Sequence, residues 1–325
     1  MPQREPERKK PGLAAIHDTR EKRLAGRFSH LTRTAWLVVG LGLLGSIATY
    51  RLVSGREMGA RKASLLAKQR ADDATIGKEW APLRDRLEKF VTDRSGAFGD
   101  EKVEPEAKAW SNHVATGIYL RVRLEDAKTP EKIRAAAQDS AKDAFVGCLL
   151  KTEHTALAEG APDASAFPDL PWNLRQAYAA TRILTPEWVA QVKDSDESIR
   201  LRIFEQQYDK AQRDEIPRAI DIVKRADFFL LVLDEPADNP EDAKPQWSDG
   251  GVDSAEEAIQ LAPHWARIHV LDLAKDKEIL RVRKRADGQF IFASGRPVTD
   301  EETLDAMKRQ VNNCALAGQV RSAIP

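Results

Sequence analysis

The sequence predicts an α+β fold: a helix-rich soluble domain with a small mixed or antiparallel sheet, tethered by one N-terminal transmembrane helix. Three observations predict it. Residues 35–50 form an uncharged apolar run, and residues 227–234 contain an apolar run of strand length between Asp227 and Asp234. Much of the remaining chain has the spacing of amphipathic helices. The order of these elements is mixed rather than a regular alternation of strand and helix, which favours α+β over α/β.

The amino-acid composition argues against several kinds of partner and binding site. The 325 residues include 51 basic and 51 acidic side chains, and this balance predicts no nucleic-acid partner. The two cysteines, Cys148 and Cys314, are too few for a disulfide-dense domain or a four-cysteine zinc site. His264 and His269 are five residues apart on a predicted strand, which puts them on opposite faces. The sequence therefore predicts no metal site and no cofactor, and it contains no catalytic signature.

The apolar run has the features of a membrane anchor. Arg33 and Arg51 flank it, and Trp36 and Tyr50 lie near its ends, where amphipathic rings favour the lipid headgroups. With the two residues after Arg51 it reaches about 17–20 residues, the lower limit for a spanning helix. We therefore predict a basic cytoplasmic tail over residues 1–33, a transmembrane helix over 34–53, and contact with the lipid bilayer through residues 36–50.

The same run permits a minor alternative. Gly40, Gly42 and Gly45 form a G-x-G-x-x-G pattern behind the apolar residues 36–39, as in the first strand–turn–helix of a dinucleotide-binding domain. Such a domain needs a second apolar strand that ends in an acidic residue about 20 residues later. Residues 56–65 are instead basic and helical in composition. The transmembrane interpretation is therefore favoured.

Charge alone does not fix the orientation of the anchor. The tail contains nine basic and four acidic residues, but residues 51–62 on the other side of the anchor are also basic. A long charged tail is difficult to translocate, so we expect the N-terminus in the cytoplasm. The soluble domain is then periplasmic or extracellular, at the inner or plasma membrane. A signal peptide cleaved after residues 46–48 is a further alternative, but the tail is far longer than an ordinary n-region.

A membrane-proximal helical segment is predicted over residues 54–94, before a soluble domain over residues 95–325. Within that segment, five apolar residues recur at helical spacing: Ile76, Trp80, Leu83, Leu87 and Phe90. Two interpretations fit this stripe: packing against its own domain, which we favour, and pairing with a second copy. Pro82 interrupts the stripe and predicts a helix start or a kink there.

Strand predictions follow from apolar patterning. Residues 118–125 alternate between apolar and polar, which predicts a half-buried strand. The continuous apolar run at 227–234 predicts a central strand buried on both faces. Four further elements are predicted: a short strand at 145–150, a long acidic exposed loop at 235–257, a β-hairpin formed by residues 264–273 and 278–284, and a last helix over residues 299–321.

Candidate functional residues remain few. In an oxidising compartment, Cys148 and Cys314 are the candidate disulfide pair. Trp247, an aromatic residue inside the acidic loop, is the candidate for a partner-binding loop, although it could instead fold back onto that loop. We therefore expect a domain that binds or scaffolds a protein or envelope-polymer partner. The alternative is a tethered enzyme of unrecognised class that acts on cell-envelope material with carboxylates from residues 234–253.

Overall fold

The computed structural model describes residues 33–111, 117–138, 140, 144–150, 171–243, 255–289 and 301–324. The chain divides into two compact units, Met1–Ser64 and Leu65–Pro325, and each is considered by itself. The second unit is an α+β domain that contains a six-stranded mixed sheet.

The first unit contains most of helix α1, which extends over Arg33–Asp72. Gly40, Gly42 and Gly45 all lie inside this helix, and the described residues directly before them, 33–39, are helical as well, so these glycines do not form a strand–turn–helix unit. Among the residues that the structure describes, no helix is long and apolar enough to cross a membrane.

The second unit contributes the remaining helices. The stretch Asp73–Gly77 is a π-helical turn that separates α1 from α2, so Pro82 lies four residues inside a helix that has already begun. Helix bounds are α2 Lys78–Arg94, α3 Glu106–Ser111, α4 Pro130–Gln138, α5 Phe145–Leu150, α6 Arg175–Thr181, α7 Pro186–Asp194, α8 Ser198–Lys210, α9 Ile216–Arg225, α10 Ala255–Ile259 and α11 Glu301–Ala323.

The sheet has the strand order β1-β6-β5-β4-β2-β3. Strands β3, β2 and β4 are parallel, whereas β4, β5, β6 and β1 pair antiparallel. The strand bounds are β1 Lys102–Val103, β2 Gly117–Arg123, β3 Trp172–Asn173, β4 Phe228–Ala237, β5 His264–Asp272 and β6 Lys277–Ala286. The hairpin between β5 and β6 turns at Asp276, which adopts a left-handed φ of 52°.

Helices cover both faces of the sheet. Helices α3, α5 and α11 pack on one face, which we call the α11 face, around residues such as Val232, Ile268 and Leu316. Helix α2 covers the other, the α2 face, where Phe90 contacts Phe229 edge to face. Because the side chains of a strand alternate between faces, each central strand contributes to both layers. The apolar stripe of α2 is therefore part of the second unit's own core, with Trp80 and Leu87 both buried.

The structure confirms β4 as a central strand and corrects β2. Strand β2 was expected to be half-buried, but it is buried on both faces, and Arg121 at its centre is completely inaccessible. Polar residues alternate along β2 because Arg121 forms a buried ion pair on the α11 face, and not because that face is exposed to solvent. Sequence spacing cannot distinguish these cases, because the partner of Arg121 is Asp234, 113 residues away.

Two other predictions are corrected. Residues 145–150 form helix α5 rather than a strand, since a short apolar run fits a buried helix equally well. The acidic stretch 235–257 is not entirely loop, because β4 continues to Ala237 and α10 occupies Ala255–Ile259. The remaining part of that stretch over residues 244–254 lies outside the described residues.

Candidate functional site

A buried ionic network lies on the α11 face, where β2, β4 and β5 run side by side. Arg121 Nε donates to Asp234 Oδ2 at 2.7 Å, and Arg121 Nη2 donates to Asp234 Oδ1 at 2.9 Å. Asn313 from α11 accepts from Arg121 Nη1 at 2.5 Å. His264 completes the network, with its Nε2 3.1 Å from Asp234 Oδ1 and its Nδ1 2.8 Å from the carbonyl oxygen of Ala262.

The electrostatics of this network keep Asp234 ionised. Burial alone raises the pKa of the Asp234 carboxyl, but the opposing guanidinium of Arg121 and the hydrogen bond from His264 together lower that pKa to about 2. Arg121, Asp234 and His264 are at most 1% exposed. Asp234 was one of the carboxylates considered for a tethered enzyme, but its oxygens already accept hydrogen bonds from Arg121 and lie against His264. The network is therefore arranged to hold three strands and α11 together.

A polar cavity of about 350 Å³ opens at the carboxyl end of β4, beyond this network. Its charged lining consists of Glu241, Asp242 and Lys308. Asn312 also lines it, and the Asn312 side chain accepts from the backbone of Gly288 and donates to the carbonyl oxygen of Gln260. Crevices at the carboxyl ends of parallel strands are the usual ligand sites of open sheets. Carboxylates, an ammonium group and an amide are together suited to a polar or cationic ligand.

The predicted acidic loop is thus divided between three environments. Asp234 is buried in the network, and Glu235 accepts hydrogen bonds from Arg267 and Arg283 on the α2 face. Glu241 and Asp242 line the cavity. Trp247 and the acids at 249 and 253 lie outside the described residues.

A second ionic cluster lies on the α2 face. His269 Nδ1 is 2.8 Å from Glu278 Oε1, and the Glu278 carboxylate also accepts hydrogen bonds from Arg94 and Arg281. Burial raises the pKa of Glu278, but these three donors lower it well below its usual range. The sequence prediction that His264 and His269 point to opposite faces holds in this geometry. The role of Glu278 had no signal in the sequence, because Arg94 is 184 residues from it.

The two candidate cysteines meet on the α11 face. The structure joins Cys148 of α5 to Cys314 of α11 through a disulfide bond, with their Cα atoms 5.0 Å apart and a sequence separation of 166. Cys148 belongs to the apolar core of that face, and the partly buried Cys314 packs against it. The bond therefore links two of the helices that pack on the α11 face.

The apolar segment of α1 is exposed in the first unit. Ser46 and Thr49 each donate a hydroxyl hydrogen bond of 2.8 Å to the carbonyl oxygen four residues earlier, on Gly42 and Gly45. Seven large apolar side chains of this segment are 51–70% exposed: Trp36, Leu37, Val38, Val39, Leu41, Leu43 and Leu44.

Comparison of the chain with protein-family models, with curated proteins and with solved structures found no match.

Proposed function

We propose that this chain is a single-pass membrane-anchored envelope protein whose second unit binds a protein or envelope-polymer partner. The observation that carries the proposal is the exposed apolar surface of α1. Seven large apolar side chains between residues 36 and 44 are at least half exposed. Covering a side chain of this size contributes roughly 1.5–3 kcal/mol, so seven together favour a lipid environment strongly. Contiguous exposed apolar surface of this kind is rare on soluble monomers.

The polar atoms of the same segment fit a lipid environment. In hydrocarbon, each backbone and hydroxyl group needs a partner inside its own helix or in a neighbouring one. The hydroxyls of Ser46 and Thr49 find theirs on carbonyl oxygens of α1 itself. The segment has no charged residue between Arg33 and Arg51. If the segment inserted into a bilayer, the hydroxyl groups of Ser46 and Thr49 would therefore keep their hydrogen-bond acceptors.

The disulfide supports the proposed compartment. Bonds between cysteines persist in periplasmic and extracellular spaces and are rare in the cytosol. The Cys148–Cys314 bond in the second unit is consistent with that unit lying outside the cytoplasm, with the basic tail inside. We therefore expect the partner among envelope proteins and polymers.

The rim of the polar cavity is the proposed partner surface. Glu241 and Asp242 line that cavity, and Trp247 follows Asp242 by five residues. Tryptophan is enriched in binding hot spots, so we propose Trp247 as the aromatic anchor of this partner surface. The expected partner segment is polar or basic, because two carboxylates and one ammonium group are among the described residues that line the cavity.

Membrane anchoring is tested by carbonate extraction of the full chain, together with an alkaline phosphatase fusion after Pro325. We expect the wild-type chain to stay in the membrane with an active fusion. Replacing Leu41 and Leu44 with arginine should release it. The matched control replaces Ile199 and Ile203 of α8 with arginine, because these two side chains are also exposed, at 73% and 47%, but lie in the second unit.

The outcomes of this test are distinct. Release of the wild-type chain by carbonate would refute the anchor. Retention with an inactive fusion would keep the anchor and refute the extracytoplasmic domain. If both arginine pairs released the chain equally, the effect would come from general loss of apolar surface, and the assignment to α1 would fail.

Partner binding is tested with a photo-cross-linking amino acid at position 247 in living cells. We expect a light-dependent adduct that disappears when Glu241 and Asp242 are replaced by lysine. The control puts the same cross-linker at position 172, where the Trp172 side chain donates to Gln176 on another part of the domain. Equal adducts from both positions, or none from position 247, would refute this partner surface.

The cavity also favours a second candidate, a tethered enzyme that acts on envelope material. The specific observation is the pair of carboxylates, Glu241 and Asp242, beside Lys308 in a cavity at the end of parallel strands. Replacing both acids with their amides separates the candidates. Loss of turnover of purified envelope polymer in a variant that keeps its fold would favour the enzyme. Loss of cross-linking with no turnover in the wild type would favour the binding protein.

A further inference from the structure

The ionic cluster on the α2 face contains an unsatisfied nitrogen. His269 is 98% buried, since only 2% of its surface is exposed, and its Nδ1 lies against Glu278. Its Nε2 is also buried and has no hydrogen-bond partner among the described residues. The rings of Phe90 and Phe98 instead lie in T-shaped contact with the imidazole, each with its centroid 6.4 Å from the imidazole centroid. A buried polar atom without a partner typically costs about 1–3 kcal/mol, so its presence requires an explanation.

The segment that carries Phe98, which contacts His269, is held by charged side chains of the same sheet face. Residues 95–101, which we call the cover segment, carry Phe98 and join α2 to β1. Arg267 donates to the carbonyl oxygen of Gly96 and lies over the Phe98 ring at 5.7 Å. Gly99 lies against Arg281, because a Cβ at Gly99 would be 3.2 Å from Arg281 Nη1. The cover segment is therefore held by arginines of the same sheet face that carries His269.

Carboxylates and cationic side chains both surround this cluster. Glu278 contacts His269, the charge of Asp100 in the cover segment also acts on Arg281, and Glu235 and Glu104 pair with Arg267 and Lys102. Cationic groups approach from each element that packs there: Arg94 from α2, Lys102 from β1, Arg267 from β5 and Arg281 from β6. Protonation of His269 would add another positive charge near these cationic groups. The new N–H would face two aromatic rings.

We propose that His269 is an acid-sensitive latch: when a proton from solvent adds to Nε2, the cover segment lifts from the sheet so that the new N–H reaches water. At neutral pH the imidazole donates one N–H to Glu278, and the bare Nε2 is tolerated under Phe98. In acid the closed arrangement leaves a buried charged donor without an acceptor, which is far more costly than a bare lone pair. Burial lowers the pKa of His269, as expected when the closed state resists protonation.

Hydrogen–deuterium exchange of the full chain between pH 7.5 and 5.0 tests this. With rates corrected for intrinsic exchange, protection of residues 95–101 should fall by up to about tenfold per pH unit below about 6.5, the ordinary pKa of histidine. Amides of β4 serve as the internal reference and should keep their protection. The lower limit of pH 5.0 keeps ordinary carboxylates ionised.

Two variants decide the cause. His269→Gln keeps a donor for Glu278 and cannot titrate, so its cover segment should show no pH dependence. Phe98→Ala admits water to Nε2, so the pKa of His269, measured by NMR of labelled histidine, should rise toward 6.5 while the tenfold effect shrinks. If His269→Gln failed to fold, the titration of His269 in Phe98→Ala would serve as the deciding measurement. The latch is refuted if wild type and His269→Gln share one pH profile, or if His269 titrates while exchange of the cover segment stays constant.

Discussion

The two histidines of β5 are five residues apart, and they lie in opposite electrostatic situations. On the α11 face, both ring nitrogens of His264 lie against oxygen acceptors, from Asp234 and Ala262. On the α2 face, one ring nitrogen of His269 lies against the Glu278 carboxylate, and the other has no hydrogen-bond partner among the residues that the structure describes. Both side chains are buried, so the difference comes from their partners and not from exposure.

This comparison shows that a buried ionic group can either stabilise one structure or make the structure depend on protonation. A buried ion pair with two parallel hydrogen bonds, such as Arg121 with Asp234, polarises those bonds and favours one arrangement. A network with one unsatisfied atom has a second arrangement available whenever protonation changes the balance. We infer that the α11 face is the permanent part of the second unit and the α2 face the responsive part. Four predictions test this difference, from the largest expected effect to the smallest.

The largest effect is expected from Asp234→Ala on the α11 face. This change removes the carboxylate that lies 2.7 Å from the buried Arg121 guanidinium, and breaking a buried ion pair typically costs about 3–5 kcal/mol in the free energy of unfolding. Urea unfolding of the purified full chain, followed by tryptophan fluorescence, measures the loss. Replacing Arg121 with Met and Asp234 with Leu together should cost much less, because no unpaired charge remains. A loss of under about 1 kcal/mol in Asp234→Ala would show that the network does not hold this face together.

The next effect comes from the covalent link of the same face. Replacing Cys148 and Cys314 with alanine should lower the free energy of unfolding by about 2–5 kcal/mol, because the bond closes a loop of 166 residues in the unfolded chain. Reduction of the wild-type protein should give a similar loss. If the double variant were as stable as the oxidised wild type, the rigidity of the α11 face would have to come from the ionic network alone.

These two effects also show how far sequence reasoning reaches. The apolar run of β4 and the hairpin of β5 and β6 were predictable, because local pattern decides strands that are buried or tightly connected. The burial of Arg121 was not, because only its partner 113 residues away makes a buried arginine acceptable. Strands β1 and β3 have two residues each, too few for any periodic signal. For the candidate site, the acidic stretch was predicted, but its division between network, cavity and the α2 face depends on tertiary contacts.

The third prediction compares how the stability contributions of Asp234 and His269 depend on pH. The pKa of Asp234 is about 2 in the folded chain, against an ordinary value near 3.8, so its contribution is complete above about pH 4. As the pH falls through 2, roughly 2–3 kcal/mol should be lost. His269 has a pKa lowered by burial, so its contribution is complete above about 6.5 and declines below that. Urea midpoints at pH 7.5, 5.5 and 3 should therefore show a first small decline that His269→Gln abolishes. A second decline, below about pH 4, should remain in that variant, because Asp234 on the α11 face and Glu278 on the α2 face both have a lowered pKa. A single decline, confined to pH below 4, would remove the distinction between the faces.

The smallest effect lies at the edge of β6, where one residue from each face protects the strand. Gln319 of α11 bonds both the N–H and the carbonyl oxygen of Arg285, as an added strand would. Glu101, the last residue of the cover segment, accepts from the N–H of Arg283 and from Lys284 Nζ. Because both contacts are exposed, losing either should cost less than about 1 kcal/mol, but it opens an edge to pairing with another chain.

Sedimentation velocity over a concentration series measures that pairing. We expect Gln319→Ala to self-associate at every pH, since α11 belongs to the permanent face. The wild type should do so only below about pH 6, when the latch lifts Glu101 from the edge. Ser322→Ala is the matched control, because Ser322 bonds only within α11, to the carbonyl oxygen of Gly318. Self-association of Ser322→Ala to the same extent would attribute the effect to α11 itself. Equal pH dependence in Gln319→Ala and the wild type would show that the two faces protect this edge in the same way, contrary to the difference between their histidines.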